Sequence, residues 1–389
     1  LKIIRPITIT EAMLTDSNVP ETDYTEFAMA TTYGDGDYCM VATGLEILTL
    51  DVAPVDDWVA GDILTGQMSS KTCVAVQKIT TLTYYVRERS GAFTLGEIIG
   101  VTGTPAKLAD QGAAHPTITA ATDKVHKVYE SLSAGNQGNY PPLDVLETVP
   151  KWLEVSATNR WKAFDNKVGT QTSQATSITY KITPGEVFDS IAFLNLEAAS
   201  VRITLTDAVE GVVFDETVNL LDVTLTGTEP EMDWYAYFFS EITMIAEVAK
   251  LGMSLFLNTV LDITITYTGG TAKVGTIIIG KQMTIGSTQY SPSIGITDYS
   301  VKATDAFGNT VITERSYSDK MTCDVAIPTN SIPYIKRMLA AYRATVILYI
   351  GADEEIYPSM IMMGFYKDFS IVIGYPDYAI CAIEIEGII

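Results

Sequence analysis

Histidine is almost missing from this sequence: His115 and His126 are the two in 389 residues, and neither stands at ligand spacing from the other or from a cysteine. That removes most zinc-enzyme and histidine-dependent triad arrangements. Cysteine is scarce as well. Cys39, Cys73, Cys323 and Cys381 are far apart, form no Cys-x-x-Cys pair and each sit in an apolar, strand-like context. Buried free thiols are expected there, in place of a disulfide framework or a zinc site. Basic residues are outnumbered, 25 Lys and Arg against 47 Asp and Glu, for a formal charge of -22. Such a chain repels nucleic-acid phosphate and anionic membrane unless its cations are segregated into a patch. They are scattered; the tightest group, Lys336-Arg337 followed by Arg343, falls on a predicted helix and reads as a solvated face. No apolar run approaches the roughly 18 residues that cross a bilayer, and the opening Leu-Lys-Ile-Ile-Arg-Pro is not a signal peptide. A soluble protein is expected, with no nucleic-acid partner and no membrane insertion.

Motifs of catalysis are missing too. The chain has no Gly-x-Ser-x-Gly elbow, phosphate loop or dinucleotide fingerprint. Carboxylates are plentiful: Asp56-Asp57, Asp207, Asp215-Glu216, Glu229 to Asp233 and Asp353-Glu354-Glu355. A glycosidase needs only two carboxyls at a set separation, but in so acidic a chain pairs arise by chance, and turn or surface roles account for them. No acidic spacing specifies a calcium loop. The expectation is a protein that is not an enzyme, with no catalytic residue, no metal ligand and no cofactor.

What the chain does have is β periodicity. At 389 residues it exceeds one ordinary core, so two to four domains are expected. Residues 1–24 read as an extended arm, with a strand over 3–10, too short to form a core alone and able to pack on another copy. Residues 25–155 read as a small β module interrupted by an inserted β-barrel over 44–123, whose strands are separated by turns at Gly61-Asp62, Ser69-Ser70 and Ser90-Gly91. Between Trp152 and Thr172 two tryptophans and Phe164 fit neither a helical stripe nor a two-residue alternation, which predicts an ordered loop at a domain entrance. Its aromatics either plug the following domain or form a carbohydrate-binding rim. Residues 156–285 alternate over strand after strand and predict a two-sheet sandwich of jelly-roll type. Within it, Trp234, Tyr235 and Tyr237 crowd one strand, as an interface or as a stacking platform for sugar. Residues 286–389 predict antiparallel strands around one helix over 331–343, with Ser331 as N-cap and Ile335, Met338, Leu339 and Tyr342 at helical spacing.

Four resemblances bear on these regions. Tyr33, Gly36-Asp37, Tyr129, Gly135-Asn136, Pro141-Pro142 and Trp152-Leu-Glu follow the order seen in the small aromatic modules of bacterial chitinases and many phage tail proteins, with Phe27 where those modules carry a leading tryptophan. Asn159-Arg160-Trp161 with Ala163-Phe164-Asp165 resembles the entrance of galactose-binding-like sandwiches, Asn166 standing where a glycine is usual. The C-terminal strands, closing on Ile383-Glu384-Ile385-Glu386, look like the tail-tube and distal-tail domains of long-tailed bacteriophages. The run Gly286 to Lys302, with Gly308-Asn309, Glu314-Arg315 and Gly364 to Ser370, resembles C-terminal regions of phage virion proteins.

These resemblances imply a mainly β, multidomain structural protein of a tailed-phage virion, at the tail tip, baseplate or collar, made in the host cytoplasm. It would assemble as a ring of its own copies beside other tail proteins. They also imply glycan-binding candidates, Tyr129, Trp152, Asn159, Trp161, Trp234, Tyr235 and Tyr237, with a host surface glycan as ligand. A carbohydrate-binding host-recognition protein is the alternative, and a polysaccharide hydrolase the third reading.

Overall fold

The computed structural model describes residues 1–29, 31–42, 46–50, 53–54, 57–87, 90, 93–94, 98–101, 117–120, 125–222, 243–257, 259–304, 307–352 and 358–388. The chain is mainly β, with several sheets, one nearly closed into a curled half-barrel, and a small helical region. It divides into two compact units: Glu21–Thr158, and Leu1–Pro20 together with Asn159–Ile389.

In Glu21–Thr158 a six-stranded sheet runs in the order Ile99–Val101, Ile63–Gly66, Thr72–Lys78, Thr83–Arg87, Glu46–Thr49 and Thr117–Ala120. Every strand of it lies inside the expected insertion. Alternation selects its buried face: Cys73 and Ala75 from one strand, Tyr84 and Val86 from the next, join Leu48, Leu64 and Trp58 in one core. The flanking sequence closes a separate antiparallel sheet of Trp152–Ala157, Lys127–Ser131 and Tyr38–Val41. A clasp holds the ends of this unit. The Glu21 carboxylate lies 2.8 Å from His126 Nδ1 and accepts a hydrogen bond from Thr158 Oγ1 at 2.7 Å, while the Thr158 amide donates to the His126 carbonyl.

The other unit is built on two sheets. One has the order Gly211–Asn219, Ser200–Asp207, Val260–Val274, Thr172–Ile182 and Leu14–Ser17. Its alternating residues Ile178, Tyr180 and Ile182, Val201, Ile203 and Leu205, and Leu261, Ile263 and Ile265 are all buried. The second sheet has ten strands, in the order Val248–Lys250, Ser190–Leu194, Thr276–Thr284, Lys2–Pro6, Ile347–Ile350, Ile361–Val372, Tyr378–Gly387, Tyr317–Pro328 and Ser287–Thr288, with Ser293–Asp298 also paired to Tyr317–Pro328. The boundary expected at 285/286 falls inside this sheet. The expected arm supplies an interior strand: Lys2–Pro6 pairs with Thr276–Thr284 on one side and Ile347–Ile350 on the other. Ile3 then enters the core beneath the helix and Ile4 the core on the opposite face, as a strand buried on both sides requires.

The helix spans Ile332–Ala341 after a 3-10 turn at Thr329–Ser331, and it buries Ile335, Met338 and Leu339 against the ten-stranded sheet. Ser331 stands at the N-cap position without capping. The preceding turn already gives it helical dihedrals, and its hydroxyl pairs with Asn330 instead. Cys39, Cys73, Cys323 and Cys381 are buried and form no disulfide, and burial pushes the Cys39 thiol up to about 12 and those of Cys323 and Cys381 up to about 11. Such thiols are packing groups that stay protonated at neutral pH.

Candidate functional site

Aromatic residues expected to meet a glycan are used internally. Tyr129 and Trp152 are 0% and 1% exposed. Trp152 meets Tyr33 edge-on at 4.9 Å and Phe27 at 5.9 Å between ring centroids, and its indole N–H donates to the Asn139 carbonyl at 2.9 Å. Asp144, at the end of the short helix Pro141–Asp144, accepts the Lys151 and Trp152 amides and so fixes where the tryptophan strand begins. No ring face of Trp152 or Tyr129 is left for a sugar to stack on.

In the other unit, the Asn159 side chain does the work of a strand neighbour: its amide donates to the Ser173 carbonyl at 2.8 Å and its oxygen accepts the Ser173 N–H at 2.9 Å. Trp161, 8% exposed, packs edge-on against Phe164 at 6.0 Å, and Phe164 against Tyr180 at 5.1 Å. From Asn159 to Gln171 the segment is the ordered loop read from the sequence, and its aromatics Trp161 and Phe164 pack inward; Trp152–Ala157, expected as part of the same loop, is instead a strand of the three-stranded sheet in the unit Glu21–Thr158, because Trp152 is drawn into that unit's aromatic core. Trp234, Tyr235 and Tyr237 lie outside the described residues. The structure brings Tyr129 together with Trp152, and Asn159 with Trp161, but in different units.

Acidic candidates are likewise committed. Arg202 holds Asp215 in a two-point ion pair at 2.9 and 2.7 Å and lowers its carboxyl below the usual range. The Val209 and Glu210 amides do the same for Asp207, and Lys78 for Asp57. Glu216 pairs with Lys250 at 2.6 Å. Residues 229–233 and 353–355 lie outside the described residues. Among the described residues no group of three His, Cys, Asp or Glu could hold a metal ion.

Glu247 is the exception, because burial, and then repulsion from Asp319, push its carboxyl up to about 7. A raised carboxyl pKa favours the protonated folded state, so its stabilising effect is complete below the unfolded value near 4.5 and is lost as pH rises through 7. Glu247→Gln is therefore expected to leave the melting temperature unchanged near pH 4 and to stabilise the protein at pH 8, by on the order of 2 kcal/mol. Thermal melts of both proteins across this range check it.

What the structure leaves open to solvent is a different surface. Val301–Thr304 and Thr310–Thr313 form a two-stranded ribbon, with Val301 opposite Thr313 and Ala303 opposite Val311. All eight of these residues are exposed, on both faces of the ribbon. Val311 and Ile312 are 63% and 65% exposed, and Phe307 in the turn is 92% exposed. The adjoining strand Ser293–Asp298 adds exposed Ile294 and Ile296, and Tyr290, Tyr299 and Tyr317 lie around its ends. The ribbon root is tied down: Arg315 N–H donates to Ser300 Oγ at 3.0 Å, and Tyr299 OH reaches Ser318 Oγ and Glu386. β-Branched side chains favour strand here, and Gly308, at φ +87°, supplies the left-handed turn residue. The sequence signal was present in Val-x-Ala-Thr and Thr-Val-Ile-Thr flanking Phe-Gly-Asn, but alternation alone does not reveal that both faces stay in water.

Two grooves flank the helix Ile332–Ala341, with Tyr334 lining both. The first, of about 460 Å³, has Met283, Met338 and Tyr342 along it and Arg5 and Arg337 at its rim. The second, of about 550 Å³, is lined by Ser331, Ile335, Asp377 and Tyr378 among others, and Tyr378 stacks on Tyr375 at 4.5 Å.

No protein-family model matches this chain, and it matches no curated protein.

Proposed function

We propose that this protein is a structural component of a bacteriophage tail, at the tip, baseplate or collar, assembling as a ring of its own copies among other tail proteins. The observation that carries the assembly part is the ribbon of Val301–Thr304 and Thr310–Thr313, exposed on both faces with Val311, Ile312 and Phe307 in water. A lone two-stranded ribbon is marginal by itself, and a contiguous exposed apolar surface marks an interaction site. The phage assignment rests on the sequence resemblances, with the two-sheet part of the larger unit read as a galactose-binding-like jelly roll and the C-terminal strands and helix as a tail-tube-like element. Light scattering across a concentration series, followed by imaging, is expected to give closed rings of defined copy number. Val311→Asp combined with Ile312→Asp should reduce the mass to that of one chain with the melting temperature unchanged, since both residues are exposed. A wild-type chain that stays monomeric at every concentration would count against the reading.

A second reading, carbohydrate recognition, is favoured by one observation: the groove carrying Tyr334, Asp377 and Tyr378. Exposed tyrosine faces stack on sugar C–H surfaces, and a carboxylate accepts hydroxyl hydrogen bonds. Glycan binding that is lost in Tyr378→Ala and kept in Trp161→Phe would support it; an array with no bound glycan would count against it.

A further inference from the structure

Asp215 is held by Arg202, Glu216 by Lys250 and Asp57 by Lys78. Asp377 differs. Among the described residues its carboxylate has no hydrogen-bond or ion-pair partner, and it lines the 550 Å³ groove that begins at Ser331. Its main chain is fixed: the Thr329 amide donates to the Asp377 carbonyl at 3.1 Å and the Thr329 hydroxyl to the Pro376 carbonyl at 2.9 Å. These bonds tie the turn that carries the acid to the turn that precedes the helix Ile332–Ala341. Tyr334, from the helix, and Tyr378, the ladder partner of Pro328, line the same groove, and both rings are exposed. Tyr375 stacks on Tyr378 at 4.5 Å and restrains its ring.

Asp377 is also the one charged side chain among the described residues that line this groove, whereas the groove on the other side of Tyr334 carries Arg5 and Arg337. On a chain of formal charge -22 a cation is drawn in and an anion repelled. An ammonium group gains twice here, from the carboxylate through a charge-assisted hydrogen bond and from the tyrosine faces through cation–π attraction. An uncharged sugar gains only stacking and ordinary hydrogen bonds. Thr284 and Ser287 add hydroxyls to the lining, which suit a polyhydroxylated ring better than a bare alkylammonium.

We propose that this groove takes a sugar bearing a free amine, its ammonium against the Asp377 carboxylate and the faces of Tyr334 and Tyr378. This rests on the carbohydrate reading above and names its substrate class. Attraction of this kind is weakened by salt, because Asp377 and both tyrosines stand in solvent.

The test uses the full chain and titration calorimetry with three tetrasaccharides: a β-1,4-linked glucosamine oligomer, its N-acetylated form and a galacturonic acid oligomer. The glucosamine oligomer is expected to bind about tenfold tighter than its N-acetylated form, as one charge-assisted hydrogen bond gives, and the acidic oligomer not to bind. Asp377→Asn should erase the preference for the amine, and Asp377→Lys should turn it toward the acidic oligomer. Tyr378→Ala should weaken both the amine and the N-acetylated oligomers. The Asp377 variants should melt with the wild type, since that side chain is exposed and makes no contact that folding uses. Equal binding of the amine and N-acetylated oligomers overturns the amine assignment and leaves the carbohydrate reading standing. An amine preference that persists in Asp377→Asn overturns it as well, since the attraction would then come from the acidity of the whole chain. A wild-type chain that binds none of the three overturns both.

Discussion

Trp152→Ala is expected to destabilise the unit Glu21–Thr158 by about 3–5 kcal/mol, the range for truncating a large buried aromatic. The tryptophan is 1% exposed and sits in a cluster with Phe27, Tyr33, Tyr129 and Tyr140. Deleting the indole empties the centre of that cluster, removes edge-on contacts to Tyr33 and Phe27, and leaves the Asn139 carbonyl without its donor. Edge-on aromatic pairs add about 0.5–1.5 kcal/mol beyond burial, and a small sheet of three strands has few other apolar contacts to compensate. Denaturant titration followed by far-UV circular dichroism should show an earlier transition for this unit. An unchanged midpoint accompanied by lost glycan binding would instead return Trp152 to the role the sequence resemblance implied.

The second large effect is at Gly280, in the middle of the ten-stranded sheet. A Cβ there would collide with the Arg5 carbonyl and with Ile4 Cγ2. The neighbours cannot retreat, because Gly280 is paired with Pro6 on one side and Ser190 on the other, and Ile7 N–H donates to the adjacent Ile279 carbonyl at 2.8 Å. Gly280→Val should cost about 3 kcal/mol, the upper end of ordinary overpacking, and loosen the Lys2–Pro6 strand first. Hydrogen exchange at Ile3 and Ile4 is the direct readout. Protection equal to wild type at those amides would show that the sheet absorbs the side chain by another route.

Much of the architecture was legible in the residues. Period-two alternation marked the strands of the inserted sheet and of the five-stranded sheet, and spacing of Ile335, Met338 and Leu339 marked the helix. Scarcity of histidine and separation of the cysteines pointed to free buried thiols, as found. The candidate site was less legible. Trp152, Tyr129 and Trp161 have the side chains of a sugar platform, yet aromatic chemistry is the same whether the ring faces water or a core. Conversely, Val311 and Ile312 have the side chains of a core and stand in solvent. The basic rim of the groove beside the helix was equally hidden, since Arg5 and Arg337 lie far apart in the chain and adjoin only where strand and helix line the same groove.

Local period and composition by themselves determined many of the described strands, the helix Ile332–Ala341, the acidic charge and the buried thiols, because each depends on residues near one another in the chain. Tertiary structure alone decided that residues 2–6 become an interior strand of a ten-stranded sheet and that the ribbon Val301–Thr304 and Thr310–Thr313 stays exposed. The physical reason is that a strand's backbone donors and acceptors are indifferent to which strand satisfies them. The choice falls to whichever long-range pairing buries both faces best, and no neighbouring residue carries that information.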